Sequence, residues 1–172
     1  LSENDDPTQI PIVWNERLYC FTTSSLYTIL TTDPPFVPHK IAGVPGTTFP
    51  HTVTSTPFGI PYQASDGIRI FDGARSQLAA FEALFPILQG ESAENLSSFV
   101  GTFAAYGNDE YIISDESQTL ALNIRRGTWR DLGIGLNALF YDEAGKRFLA
   151  SSGGELLELE KVGTLRDKAA LT

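Results

Sequence analysis

The chain has 172 residues, 42% of them apolar and 19% charged, enough to bury a core in one domain or two small ones, so wholesale disorder is excluded. Twelve Lys and Arg against 21 Asp and Glu leave a net charge of −9, which argues against a surface built for phosphate backbones or anionic lipid. No apolar run reaches the roughly 18 residues of a membrane span, and the single cysteine, Cys20, forms neither an internal disulfide nor a cysteine-based metal site.

In chain order, residues 1–10 (LSENDDPTQI) are acidic and broken by Pro7, and read as a flexible arm. A first hairpin follows: Arg17 to Phe21, a Thr22 to Ser25 turn, then Leu26 to Leu30. A Pro-rich connection carries His39 and His51. The second hairpin runs from Ile60 to Ala64, through Ser65-Asp66-Gly67, into Ile68 to Phe71. Ser76 then reads as an N-cap, with Leu78, Phe81, Leu84 and Phe85 at helical spacing up to Pro86, so one short helix is expected in an insertion over about 76–98. Phe99 to Tyr106 and Leu136 to Tyr141 are small-residue-containing apolar runs suited to a crowded innermost strand. The third hairpin joins Glu110–Ile113 to Thr119–Ile124, and Arg125 to Leu132 turns into a strand carrying Trp129. The fourth joins Lys146–Ala150 to Glu155–Leu159 through Ser151 to Gly154. Residues 161–172 read as a C-terminal linker or short helix.

Each hairpin closes on Ser, Thr, Asp or Gly, the residues that make tight turns. Their turns recur near residues 24, 66, 116 and 152. An all-β repeat of about 40–50 residues is the spacing of propeller blades. The expected fold is therefore all-β, a partial or open propeller-like array of about four antiparallel blade units over residues 11–160. A β-sandwich is the alternative. Phe71, Phe103, Ile112, Leu122, Phe140 and Leu149 are the expected core, and residues 12–30 and 147–159 are expected to supply open edges. Met is absent even at position 1, which predicts a piece cut from a longer polypeptide.

No Ser elbow, phosphate-binding glycine loop or paired-His helix is present. His39 and His51 lie in connections and are expected to face solvent. Asp109-Glu110 and Asp115-Glu116 flank one hairpin and read as a solvated rim rather than as the two carboxylates of a glycosidase. Asp66-Gly67 reads as a turn device. Asn95-Leu96-Ser97 fits the glycosylation triplet by chance. The remaining candidate is a surface-binding group, Trp129 with Arg125, Arg126 and Arg130, able to act as a carbohydrate platform or a cation–π stack. No residue stands out as catalytic, and no metal or cofactor is expected.

Leu18 to Leu30 and the run Gly59-Ile60-Pro61-Tyr62 into Ser65-Asp66-Gly67-Ile68-Arg69-Ile70-Phe71-Asp72-Gly73 carry a family resemblance. They are similar to the strand, Asp-Gly turn, strand, Gly segments of tail nozzle and tail hub proteins of short-tailed phages. Thr128-Trp129-Arg130 resembles the closing Trp of a kelch-like unit. The resemblance implies a non-enzymatic virion component of a tail, collar or hub, a rigid spacer or docking domain whose partners are other virion proteins or further copies of itself. The alternative is a kelch-like binding module, secreted or at a cell surface, that takes a glycan or a peptide. Neither reading involves a membrane or sequence-specific nucleic acid.

Overall fold

The computed structural model describes residues 6–30, 33–79 and 99–159, together with the backbone of 165–166. The chain is all-β and forms two compact units, Leu1–Ala79 and Ala80–Thr172. Each unit contains two antiparallel sheets whose strands follow one another in sequence order, the up-and-down meander of a blade. The first sheet holds β1 (Thr8–Trp14), β2 (Arg17–Thr22), β3 (Leu26–Ile29) and β4 (Pro38–Lys40). The second holds β5 (Ile60–Ala64), β6 (Gly67–Phe71) and β7 (Ser76–Leu78). In the other unit, the third sheet holds β8 (Phe103–Gly107), β9 (Glu110–Ser114), β10 (Thr119–Asn123) and β11 (Thr128–Asp131). The fourth holds β12 (Ala138–Asp142), β13 (Arg147–Ser152), β14 (Glu155–Leu159) and β15 (Leu165–Arg166). These are the four expected units, and the four expected hairpins are β2–β3, β5–β6, β9–β10 and β13–β14.

Turn chemistry fixes the registers. Asn15-Glu16 and Asn108-Asp109 hold positive φ at both positions, 47° and 62° in one and 50° and 64° in the other. That is the two-residue turn whose twist matches its strands, and Asn is among the residues that tolerate it best. At the β9–β10 turn, Asp115 Oδ1 accepts the N–H groups of Ser117 and Gln118, and Glu116 takes the left-handed position at φ 73°. At the β2–β3 turn, Thr22 and Ser25 exchange hydrogen bonds in the same place. As a result β1–β3 and β8–β10 are in step: Trp14 matches Gly107, Tyr19 matches Ile112 and Leu26 matches Thr119, an offset of 93 residues each time. The chain leaving each of these sheets then crosses its own hairpin turn on a glycine. A Cβ on Gly46 would lie 2.1 Å from the Thr22 carbonyl oxygen, and one on Gly135 only 1.8 Å from that of Glu116.

The alternation of strand residues puts one set inward. In the first unit Trp14, Tyr19, Phe21 and Leu26 pack on Ile60, Tyr62, Ala64 and Phe71, with ring centroids 4.7 Å apart for Phe21–Tyr62 and 5.3 Å for Tyr19–Phe71. The Trp14 indole N–H donates to the Thr56 carbonyl at 2.6 Å. In the second unit Ile112 and Ala121 pack with Tyr141, Phe148, Ala150, Leu159 and Leu136. Gly107 lies under Tyr141, with room for no side chain of its own: an added Cβ would sit 2.2 Å from the ring.

The structure departs from the sequence expectations at several places. Ser76 does not cap a helix. Ser76–Leu78 pair with Phe71, Ile70 and Arg69 of β6, because an open strand edge offers those backbone groups partners at once. The rest of the insertion expected over 76–98, with the Asn95 triplet, falls on 80–98 and lies outside the described residues. Thr8–Ile10, placed in the arm, are the start of β1, and Asp6 ahead of them is held by the Thr22–Ser25 turn. Leu165–Arg166 form a short strand on β14 where a linker or helix was expected. Of the expected core, Phe71, Ile112 and Leu122 are buried, Phe103 and Leu149 are half-buried, and Phe140 is 63% exposed. Tyr141, not Phe140, faces inward. Residues 147–159 are interior strands flanked by β12 and β15, not an edge.

Candidate functional site

At the outer corner of the third sheet, β9, β10 and β11 enclose a cleft of about 270 Å³, lined by Glu110, Ala121, Asn123, Arg126, Thr128, Trp129 and Arg130. The register explains the set. Thr128, Asn123 and Glu110 form one cross-strand row, and Arg130, Ala121 and Ile112 form the row two residues along on the same face. Glu110 and Arg130 therefore sit diagonally, and Arg130 Nη2 donates to Glu110 Oε2 at 2.7 Å. The Glu110 side chain is only 8% exposed and that of Arg130 29%. This charge pair forms the cleft's polar floor. The solvated rim expected at Asp109-Glu110 is thus half right: Asp109 sits in the turn, while Glu110 is buried because the strand begins at it.

Arg126 sits at the mouth. Its backbone N–H donates to the side-chain and main-chain oxygens of Asn123, which closes the β10–β11 turn. Its exposed guanidinium has no ion-pair partner among the described residues. Arg125 turns away from the cleft and lies 3.9 Å from Asp109, both groups largely in solvent. Of the four residues expected to act together, the fold therefore brings Arg126, Trp129 and Arg130 to one cleft and sends Arg125 elsewhere.

Trp129 and Arg130 are strand neighbours, so their side chains leave on opposite faces. Trp129 shares its row with Leu122, Tyr111 and Tyr106, and its indole Nε1 is buried without a hydrogen-bond partner among the described residues. A stacked Trp129–Arg130 pair is thereby excluded. Trp129 borders the cleft by its place on β11 between Thr128 and Arg130, while its indole belongs to the apolar row of the opposite face. Sequence reasoning missed Glu110, Asn123 and Thr128. The signal was the Asp115 to Gln118 turn, which pairs Ser114 with Thr119 and so sets Glu110 opposite Asn123 once the hairpin is drawn in register.

The other candidates serve structure. His39 is exposed on β4 and His51 is exposed in a single 3-10 turn, Pro50–Thr52. Asp66 pairs with Arg69 across the hairpin at 2.6 Å, and that pairing holds its carboxyl below the ordinary range. Burial pushes the Tyr62 phenol up to about 12, and its hydroxyl is shared with Ser76 and the Pro45 carbonyl, which suits a core strut and not a proton donor at neutral pH. Among the described residues no group of three His, Cys, Asp or Glu is placed to hold a metal ion. No helix among them is long and apolar enough to cross a membrane.

No protein-family model and no curated protein matches the chain in sequence. Solved structures match its fold. The extracellular domain of BT4673 from B. thetaiotaomicron matches 96% of this chain at a TM-score of 0.63 and 12% identity. PorZ, a surface component of the type-IX secretion system of Porphyromonas gingivalis, matches 91% at 0.59 and 9% identity. The AfRom2 CNH domain matches 91% at 0.50 and 12% identity. The chain spans 23% of the BT4673 domain and 21% of PorZ, so it corresponds to less than a quarter of either.

Proposed function

We propose that the chain is a recognition segment of a secreted or cell-surface protein, and that it binds a glycan through the Glu110–Arg130 cleft without transforming it. The observation that carries this reading is the cleft itself: a Glu110–Arg130 pair as floor with Glu110 buried, an Arg126 at the mouth that has no ion-pair partner among the described residues, and Asn123 and Thr128 on the rim. Sugar hydroxyls donate and accept together, and a site that holds a carboxylate and guanidinium groups side by side meets both needs. Glu110 is already engaged by Arg130 at 2.7 Å, which suits a fixed polar floor that holds a ligand. The extracellular and surface origin of two fold neighbours supports the location. None of the three likenesses is to a phage tail protein, so the virion reading rests on the sequence resemblance alone.

A glycan array probed with the 172-residue chain and with Arg126→Ala tests the reading. A saturable signal that weakens about tenfold or more in Arg126→Ala is expected, since a charged hydrogen bond is worth about 1.5–3 kcal/mol. The absence of a saturable signal from any array member would remove it. Saturable binding of acidic peptides instead would move the site to the peptide class.

A further inference from the structure

The charges around the Glu110–Arg130 cleft divide by the face of the sheet they occupy. Thr128, Asn123 and Glu110 share a face with Arg130 and Ala121, because rows two residues apart fall on the same side. Asp131 belongs to the row of Leu120 and Ile113 on the opposite face. Its carboxylate receives the Gln118 amide at 2.7 Å and the Gly133 N–H at 2.8 Å. Asp109 and Arg125 lie 3.9 Å apart outside the cleft, and each offsets the other. The lining is left with one carboxylate, Glu110, and two guanidinium groups, Arg126 and Arg130. It therefore carries one excess positive charge, on a chain whose total is −9. At physiological salt the screening length is about 8 Å, so a ligand seated here answers to these groups more than to the total.

The excess cation sits at the mouth. Glu110 is the buried group of the lining, and its Oε2 already receives Arg130 Nη2 at 2.7 Å. That bond uses one of the five N–H groups of the Arg130 guanidinium, which is partly exposed and has donors left over. Arg126 is exposed, and no ion pair among the described residues engages its guanidinium. A planar guanidinium forks onto a carboxylate through paired hydrogen bonds, a geometry that a lone hydroxyl does not offer. The cleft, about 270 Å³, lies just below the roughly 300–1,000 Å³ of ordinary small-molecule pockets, which suits one sugar ring and not several.

Resting on the glycan reading above, we propose that the sugar this cleft takes is an acidic one, a uronic acid residue whose carboxylate is received by Arg126. Its ring hydroxyls meet Asn123, Thr128 and the floor, where Glu110 accepts hydrogen bonds and the remaining Arg130 N–H groups donate them. The reverse orientation brings the ligand carboxylate to Glu110, a like charge in a shielded position, so the charges select the carboxylate-outward pose.

Oligosaccharides of galacturonate, glucuronate and mannuronate, each paired with its carboxyl-reduced counterpart, separate charge from ring shape. Titration calorimetry at about 0.15 M salt should show at least one uronate binding about tenfold or more tighter than its reduced partner. Arg126→Gln leaves the turn intact, because the turn uses only the backbone of residue 126, and it should melt as the parent does. It should abolish the preference by weakening the uronate, with affinity for the reduced sugar held within about twofold. Neutral sugars that bind as tightly as the uronates, or bind when no uronate does, overturn the acidic class and leave the glycan reading standing. Sulfated sugars that bind where no uronate does have the same consequence. A preference for uronate that survives Arg126→Gln overturns the assignment to this cleft. No binding of any uronate, neutral or sulfated sugar ends the acidic class and the glycan reading together.

Discussion

Glu110 shows how one buried charge is made tolerable at a sheet corner. Its carboxylate is out of water, and the Arg130 guanidinium supplies the charge-assisted hydrogen bond that replaces the lost hydration. Glu110→Ala leaves Arg130 without its partner in a largely shielded position, so urea unfolding should show a loss of about 2 kcal/mol, below the range for a fully buried pair because Arg130 keeps some contact with solvent. Asp109→Asn is the control one residue away. Its pairing with Arg125 is long and solvated, and Asn suits the left-handed turn, so a change under about 0.5 kcal/mol is expected. Asp6 makes a different use of charge. Burial would raise its pKa, but the hydroxyls of Ser24, Thr22 and Thr23 and the Ser24 N–H all donate to its carboxylate and hold it well below the usual carboxylate range. A carboxyl with a depressed folded-state pKa adds stability above its unfolded value, near pH 3.9, and loses that contribution as pH falls through the folded value. Wild type and Asp6→Asn should therefore differ in stability at neutral pH and converge on acidification below about pH 4. Equal stabilities at neutral pH would mean that Asp6 does not anchor the first strand to its turn.

At the scale of elements, crossing points decide more than strand propensity does. Gly46 and Gly135 lie where the exit segment passes over its own hairpin, and the nearest atoms are backbone, which cannot swing aside. Gly46→Ala and Gly135→Ala should each cost about 2–3 kcal/mol or more through forced backbone movement, whereas Gly127, with open space around it, bears only the strain of its positive φ. Thermal melts of the three variants would separate the effects, and a mild Gly135→Ala would show that the exit segment can lift off. Phe71→Ala should cost about 3–5 kcal/mol, while Phe140→Ala, at an exposed position, should change monomer stability by under about 0.5. The hairpins were legible because a strand's period of two and the turn residues are written locally. The choice between Phe140 and Tyr141 was not, since alternation allows either face and both are aromatic; Gly107, more than 30 residues earlier, makes room for Tyr141 alone. Ser76 as a helix cap was misread for a related reason, because the helical spacing of the apolar residues after it says nothing of the free edge of β6, on which Ser76–Leu78 pair. At the site, Trp129 and its arginines were visible as a cluster in sequence, yet strand parity separates Trp129 from Arg130 and the register delivers Glu110 from 20 residues away.

At the scale of the whole molecule, the net charge of −9 sets how stability follows salt and pH. Like charges on one chain repel over a distance set by the Debye length, about 30 Å at 0.01 M salt and 8 Å at physiological strength, and that repulsion works against the compact state. Added salt should therefore raise the urea midpoint between about 0.01 M and 0.15 M, and lowering pH toward the isoelectric point near 4.6 should act in the same direction by reducing the net charge. The acid arm has a lower limit, because Asp6 begins to lose its contribution to stability below about pH 4. Urea unfolding at stepped salt concentrations reads the sign directly, and a midpoint that falls steadily as salt rises would mean that favourable ion pairs outweigh the general repulsion.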